Sequence, residues 1–280
     1  MKKEANESMD LRAFERFLIE EEKSDATVKK YMHDVKCFLE YMSEKELTKQ
    51  AVLNYKAELS KKYAVASANS MIAAINSFFK FLGRGELCVK QFKVQREAFC
   101  PEEKELSRAE YSRLLAAARR KKNERLDLLI QTVCATGIRV SELQFITAEA
   151  VNVGEAVVRC KGKSRRIFIL PELKKRLAKY IKSRGIKSGA VFITSGGKPM
   201  SRSNIWREMK SLCADANVPA SKVFPHNLRH LFARTFYSIE KDIAKLADIL
   251  GHSSINTTRI YIVTSGYEHR RKMEHMHLII

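Results

Sequence analysis

The chain has 280 residues, enough for one large domain or two modest ones with separate cores. Its 52 Lys and Arg against 32 Asp and Glu leave a formal net charge of +20, which points to a polyanion as partner. Six scattered cysteines without a C-x-x-C pair argue against a disulfide framework or a zinc site, and no run approaches the roughly 20 apolar residues that span a bilayer. The charge is uneven. Residues 1–97 hold 18 basic and 15 acidic side chains, and residues 98–280 hold 34 and 17, so most of the positive field belongs to the second part. "MKKEANESMD" lacks the apolar core of a signal peptide, and a cytoplasmic, nucleoid-associated protein is expected.

In chain order, residues 9–83 read as four helices around one core. Leu11, Phe14 and Leu18 mark the first. Val28, Tyr31, Met32, Val35, Phe38, Leu39 and Met42 give the second its helical period, with Ser24 or Asp25 as N-cap. Val52, Tyr55 and Leu59 follow Thr48, and Ile72, Ile75, Phe78, Phe79 and Leu82 precede Gly83 at a helix end. Residues 88–105 lose the period, mix charges and contain Pro101. The expected organisation is a helical domain over 1–97, a linker over 98–106 and a second domain over 107–280. "SRAE" opens that domain as a capping box of Ser107 and Glu110. Helices are expected over 108–121 and 124–136, then two strands in "AVVRC" and "RRIFIL" joined by a basic turn, with "AVFIT" (190–194) offering a third strand. Helices resume near 172–184, 203–216, 226–239 and 241–250.

Four stretches carry chemistry. "ATGIRVSEL" sets Arg139 just past a helix closed by Gly137. "CKGKSRR" puts Lys161 and Lys163 in a β-turn. "PHNLRH" places His226 and Arg229 three residues apart on one helix face. "LGHSSINTTRIY" supplies His252 and Tyr261. Each has an ordinary reading: a surface cation, a hairpin tip, a buried histidine, a tyrosine packed beside Ile260 and Ile262. In order, type and spacing together they resemble the tyrosine recombinase family (phage integrases, Xer recombinases and the integrases of conjugative transposons). That family carries an Arg in T-G-x-R-x-x-E-L, a Lys in a β-turn, an H-x-L-R-H box and L-G-H-x-x-x-x-T-T-x-x-Y. The resemblance spans nearly the whole chain.

The resemblance implies a mainly α fold with a small antiparallel β-sheet. A helical N-terminal core-binding domain is followed by a mixed α/β catalytic domain of the DNA breaking-rejoining type. It implies a site-specific recombinase that cuts and rejoins DNA through a 3′-phosphotyrosine and a Holliday junction, without cofactor, ATP or metal. Tyr261 is then the nucleophile. Arg139 and Arg229 hold the non-bridging oxygens of the five-coordinate phosphorane as bidentate forks. Lys161 protonates the leaving 5′-oxygen, with Lys163 the other candidate. His226 takes the phenol proton, and His252 donates to a phosphoryl oxygen. Glu142 is the helical neighbour or orienter of Arg139. Lys163, Arg165 and Arg166 are expected phosphate contacts, as are Lys29, Lys30 and Lys80 in the first domain. The implied partner is double-stranded DNA with paired half-sites. Dimers to tetramers would form on it through the C-terminal segment "SGYEHRRKMEHMHLII" (265–280), and an accessory directionality protein fits the same scheme. Two other functions share these residues: a type IB topoisomerase, and a catalytically inactive DNA-binding relative.

Overall fold

Four helices open the chain: α1 (Lys2–Glu20), α2 (Asp25–Met42), α3 (Lys49–Lys62) and α4 (Val65–Phe81). They come from a computed structural model that describes residues 2–43, 45–94, 105–160, 163–262 and 274, with only the backbone described for 2–10, 160 and 163. Two compact units divide the chain, Met1–Arg96 and Glu97–Ile280. The first unit buries two adjoining apolar clusters where one core was expected. Phe14, Leu18, Val35 and Phe78 form one, and Phe38, Tyr55, Ile72 and Phe79 the other; Leu39 packs against both. Aromatic rings meet edge to face in each, Phe14 with Phe78 at 5.1 Å and Phe38 with Phe79 at 5.5 Å.

The aperiodic stretch after α4 is docked on that unit, at least through Phe92. Asn76 pairs with both backbone groups of Val89: its Nδ2 donates to the carbonyl at 2.8 Å and its Oδ1 accepts from the amide at 2.9 Å. Asn69, two helical turns earlier, does the same for Phe92 at 2.9 and 2.8 Å. Side-chain amides thus mimic a neighbouring strand, and the backbone is satisfied without a sheet.

In the second unit, Ser107 and Glu110 form the expected capping box for α5 (Arg108–Arg120). Gly137, with φ at +62°, closes α6 (Glu124–Thr136) in the left-handed conformation. The turn Val140–Phe145 and α7 (Ala148–Val153) lead to β1 (Glu155–Cys160) and β2 (Lys163–Phe168), an antiparallel pair in which Val158 faces Arg165 and Val157 faces Arg166. Ala156, Val158 and Ile167 are buried, while Val157, Arg166 and Phe168 face solvent. Residues 190–194 do not become a third strand. Ala190 and Ile193 make only isolated bridges, to Thr147 and Pro199, too few for a ladder. Beyond α8 (Pro171–Ser183), the helix expected over 203–216 is broken into α9 (Arg202–Lys210) and α10 (Cys213–Ala216). Then come α11 (Pro225–Glu240), α12 (Ile243–Leu250) and α13 (Ile255–Ile262). The core runs from Leu114 and Leu129 through Val158 and Ile167 to Ile205 and Leu228. Lys161 and most of the C-terminal segment lie outside the described residues. Cys37, Cys88, Cys134 and Cys213 are free thiols. Among the described residues, no helix is long and apolar enough to cross a membrane.

The asparagine clamp is open to hydrogen exchange. In Asn76→Ala the Val89 amide loses its acceptor and should exchange far faster, the Phe92 amide keeping its protection, with a stability loss of about 2 kcal/mol for the two bonds. Equal protection of Val89 in both proteins would contradict the clamp.

Candidate active site

The site gathers where two glycine-ended helices present their carbonyl ends. Gly137 ends α6, and Gly251, with φ at +64°, ends α12. Neither position accepts a side chain. A Cβ at 137 would lie 2.5 Å from the Phe232 ring, and one at 251 would lie 2.5 Å from Arg165 Cδ. At the end of α12, the Gly251 amide donates to Asp248 O and the His252 amide to Ala247 O. The next three carbonyls each accept from a different arginine. Arg165 of β2 donates to Ile249 O, Arg229 of α11 to Leu250 O at 2.7 Å, and Arg139 to Gly251 O at 3.3 Å. Guanidinium groups suit a helix C-terminus, where unpaired carbonyls concentrate negative charge.

Arg229 is the most enclosed of the three, with 1% of its surface exposed. It also donates to Gly137 O and lies 2.9 Å from His252 Nε2. Burial pulls its guanidinium down to about 10, so it stays cationic at neutral pH. Arg139 is more open, its side chain 37% exposed and held by Glu142 at 3.0 Å. Glu142 is buried between Arg139 and Arg165, which both bond its carboxylate. Burial pushes that carboxyl up, but the Arg139 amide and the Arg165 guanidinium outweigh it and hold it below the ordinary range. Glu142 therefore remains an anion that orients two cations.

Tyr261, on α13, is 5% exposed and packs with Ala233, Leu246 and Leu250. Its ring is a core residue, yet its hydroxyl lies 3.2 Å from His226 Nε2. Burial, then Arg229, Arg139 and Arg202, push His226 below its ordinary value, which favours the neutral imidazole. His252 is pushed down to about 4 by burial, then by Arg229, Arg139 and Arg165. Its tautomer follows from its partners. A guanidinium only donates, so Nε2 facing Arg229 must accept, and the proton sits on Nδ1, 2.9 Å from Thr258 Oγ1.

Of the expected residues, the structure brings Arg139, His226, Arg229, His252 and Tyr261 together. Two are engaged within the chain. His252 accepts at Nε2 from Arg229, and its Nδ1 meets Thr258. Arg165 was expected to meet phosphate. Its guanidinium instead turns inward to Glu142 and Ile249, because strand alternation puts it on the buried face with Ile167. Arg166, on the other face, is exposed and 3.5 Å from Glu155. Lys163 belongs to β2, with its side chain outside the described set. In the first unit Lys29 and Lys80 are exposed, and Lys30 pairs with Asp34 at 2.5 Å. Two residues escaped the sequence reading: Thr258, three before Tyr261 on α13, and His230, one turn after His226 on α11. Helical spacing was the available signal for both. Among the described residues, no group of three or more His, Cys, Asp or Glu is placed to hold a metal.

A phenol paired with a neutral imidazole among three guanidiniums has the groups that attack on a phosphodiester needs. Comparison with known proteins agrees. The phage integrase family matches residues 104–266, and the phage integrase N-terminal SAM-like domain matches residues 11–86. Tyrosine recombinase XerA of Thermococcus kodakarensis is 32% identical over 93% of this chain and 92% of its own. Tyrosine recombinase XerD of Halalkalibacterium halodurans is 28% identical over 91% and 92%. Among solved structures, XerA recombinase aligns over 98% of this chain and 99% of its own, with 27% identity and a TM-score of 0.55. A lambda integrase dimer bound to a COC′ core site aligns over 91% and 94% with a TM-score of 0.73; at 17% identity it supports the fold alone. The chain belongs to the phage integrase family and is a tyrosine recombinase, a DNA strand transferase.

The His252 assignment has a direct check. Nitrogen-15 NMR at pH 6 should show a neutral His252 protonated on Nδ1, and Thr258→Val should keep that tautomer, because Arg229 still requires Nε2 to accept. A proton on Nε2 in the unaltered protein would contradict the arrangement.

Proposed function

We propose that the chain is a site-specific DNA recombinase in which Tyr261 attacks the scissile phosphate. The observation that carries this is the 3.2 Å contact of the Tyr261 hydroxyl with His226 Nε2, inside a cage of arginines. Neutral His226 accepts the phenol proton as the Tyr261 oxygen bonds to phosphorus. The bond from phosphorus to the 5′-oxygen breaks, leaving a 3′-phosphotyrosine and a 5′-oxygen that takes a proton from Lys161, with Lys163 as the alternative donor. The phosphotyrosine conserves the energy of the broken bond, so a 5′-hydroxyl from another strand reverses the step without ATP.

Arg139 is the accessible fork and meets the phosphate first. Arg229 bonds three neutral acceptors, the carbonyls of Gly137 and Leu250 and the ring of His252, while its buried Nε has no partner among the described residues. An anionic phosphate oxygen is a stronger acceptor than a carbonyl or an imidazole, and it draws Arg229 out of that set. Releasing His252 Nε2 from Arg229 beside a new negative charge favours its protonation, after which it donates to the phosphoryl oxygen. Glu142 and Arg165 hold the arginine array in register.

Lys29, Lys30, Lys80, Lys163 and Arg166 are assigned to phosphate contacts, and residues 98–106 to the link between core-binding and catalytic domains. Paired half-sites, and oligomers formed through the C-terminal segment, belong to the same reading. It is supported by the lambda integrase solved as a dimer on a core site and as a tetramer on a Holliday junction. Action on the nucleoid in the cytoplasm, with an accessory directionality protein, completes it.

Capture tests the proposal and finds the target together. The protein is mixed with random-sequence duplexes and denatured, and the DNA covalently attached is sequenced; one recurring pair of half-sites is expected. Tyr261→Phe should bind those half-sites yet form no adduct. An adduct in that variant would show that another residue attacks. Arg139→Lys, a point charge in place of a fork, should cleave roughly a hundredfold more slowly or worse in a single-turnover assay. Relaxation of any plasmid regardless of sequence would favour the topoisomerase reading.

A further inference from the structure

His230 lies at the centre of the site and has no part in the steps above. Its ring stacks on Tyr261 with centroids 4.2 Å apart and planes inclined by 14°. The other two histidine rings meet Tyr261 at steep angles, His226 at 64° and 5.2 Å and His252 at 47° and 5.0 Å. The Arg229 guanidinium lies 5.7 Å from the same ring centroid. Among the described histidines, only His230 offers Tyr261 a parallel face. We propose that His230 is a positioning residue for the nucleophile, its ring face fixing the phenol so that the hydroxyl points at His226.

The helix explains how. His226 and His230 are four residues apart on α11, so one turn holds Tyr261 at two points, the hydroxyl by His226 and the ring face by His230. The second torsion turns the ring about the axis that runs through the hydroxyl oxygen, so it sets the plane in which the O–H bond lies, and a stacked ring holds that plane. The face matters here rather than the nitrogens. No hydrogen bond among the described residues engages the His230 ring, and burial together with His226, Arg234 and Arg229 pushes it down to about 3, so it is neutral wherever the protein works. A neutral ring stacks on the phenol without adding a fourth cation beside Arg139, Arg165 and Arg229.

This inference rests on Tyr261 being the nucleophile, and the experiment separates the two. His230→Phe keeps a flat ring without nitrogens, and His230→Leu keeps apolar bulk without a ring. Each is tested on a nicked suicide duplex recovered in the capture experiment. The readouts are the first-turnover rate of adduct formation at saturating protein and, separately, half-site affinity. His230→Phe should stay within about threefold of the unaltered chain and His230→Leu should fall by roughly tenfold, with affinity unchanged in both. A second readout needs no DNA. With ring-labelled tyrosine, the Tyr261 signal (identified by its loss in Tyr261→Phe) should keep its ring-current shift in His230→Phe and lose it in His230→Leu. Equal rates and equal shifts in the two variants would make His230 mere filling and overturn the proposal. Loss of cleavage in both would show that a ring nitrogen is required, and would overturn it as well. If the unaltered chain forms no adduct while the shifts behave as stated, the functional reading fails and His230 only orders a tyrosine.

Discussion

Everything at the site depends on how one short helix ends. The last two turns of α12 leave carbonyls that cannot bond within the helix. Two are satisfied by the backbone turn at Gly251, and the next three take one guanidinium each from β2, from α11 and from the loop after α6. The residues so joined lie 84, 21 and 112 positions apart in the chain. Each cation at a helix C-terminus contributes about 0.3 to 2 kcal/mol, more when partly buried. The larger consequence is geometric. Three elements that could drift apart are held by the same peptide groups, and the glycines at 137 and 251 exist to let those groups come close.

That arrangement sets the electrostatics. One buried carboxylate, Glu142, bonds two of the three guanidiniums, so the site stays net positive while those two arginines are oriented. Positive surroundings and burial keep the histidines neutral, as general base chemistry on a phenol requires. The same burial would make an uncompensated cation costly, and Arg229 avoids that by bonding two carbonyls and an imidazole. Arg229 is thus held on neutral acceptors, while Arg139 and Arg165 share the Glu142 carboxylate.

Much of this was legible in the sequence because it depends on local rules. The capping box at Ser107, the left-handed glycine at 137 and the amphipathic period of α2 are short-range signals, and they appear where the chain predicts them. The motif residues Arg139, His226, Arg229, His252 and Tyr261 come together as their spacing implies. What was hidden is long-range or directional. Whether Arg165 faced phosphate or the interior turned on strand register, and the buried partners Val158 and Ile167 decide it. The proton on His252 depends on which of its ring nitrogens faces Arg229, which spacing cannot give. Asn69 and Asn76 read as ordinary helix residues, yet they draw the segment after α4 onto the first unit. His230 was visible in the motif, but its ring face gains meaning only once Tyr261 is seen against it.

The most direct measurement is the chemical identity of the protein–DNA bond. A trapped adduct digested with trypsin should yield the peptide that begins after Arg259, and this peptide contains both Tyr261 and Tyr267. Fragmentation by mass spectrometry assigns the nucleotide to one of them. Attachment through the oxygen of Tyr261, stable to hydroxylamine as a phosphotyrosine is, is the result that the site geometry requires. A nucleotide on Tyr267, or on any other side chain, would contradict it.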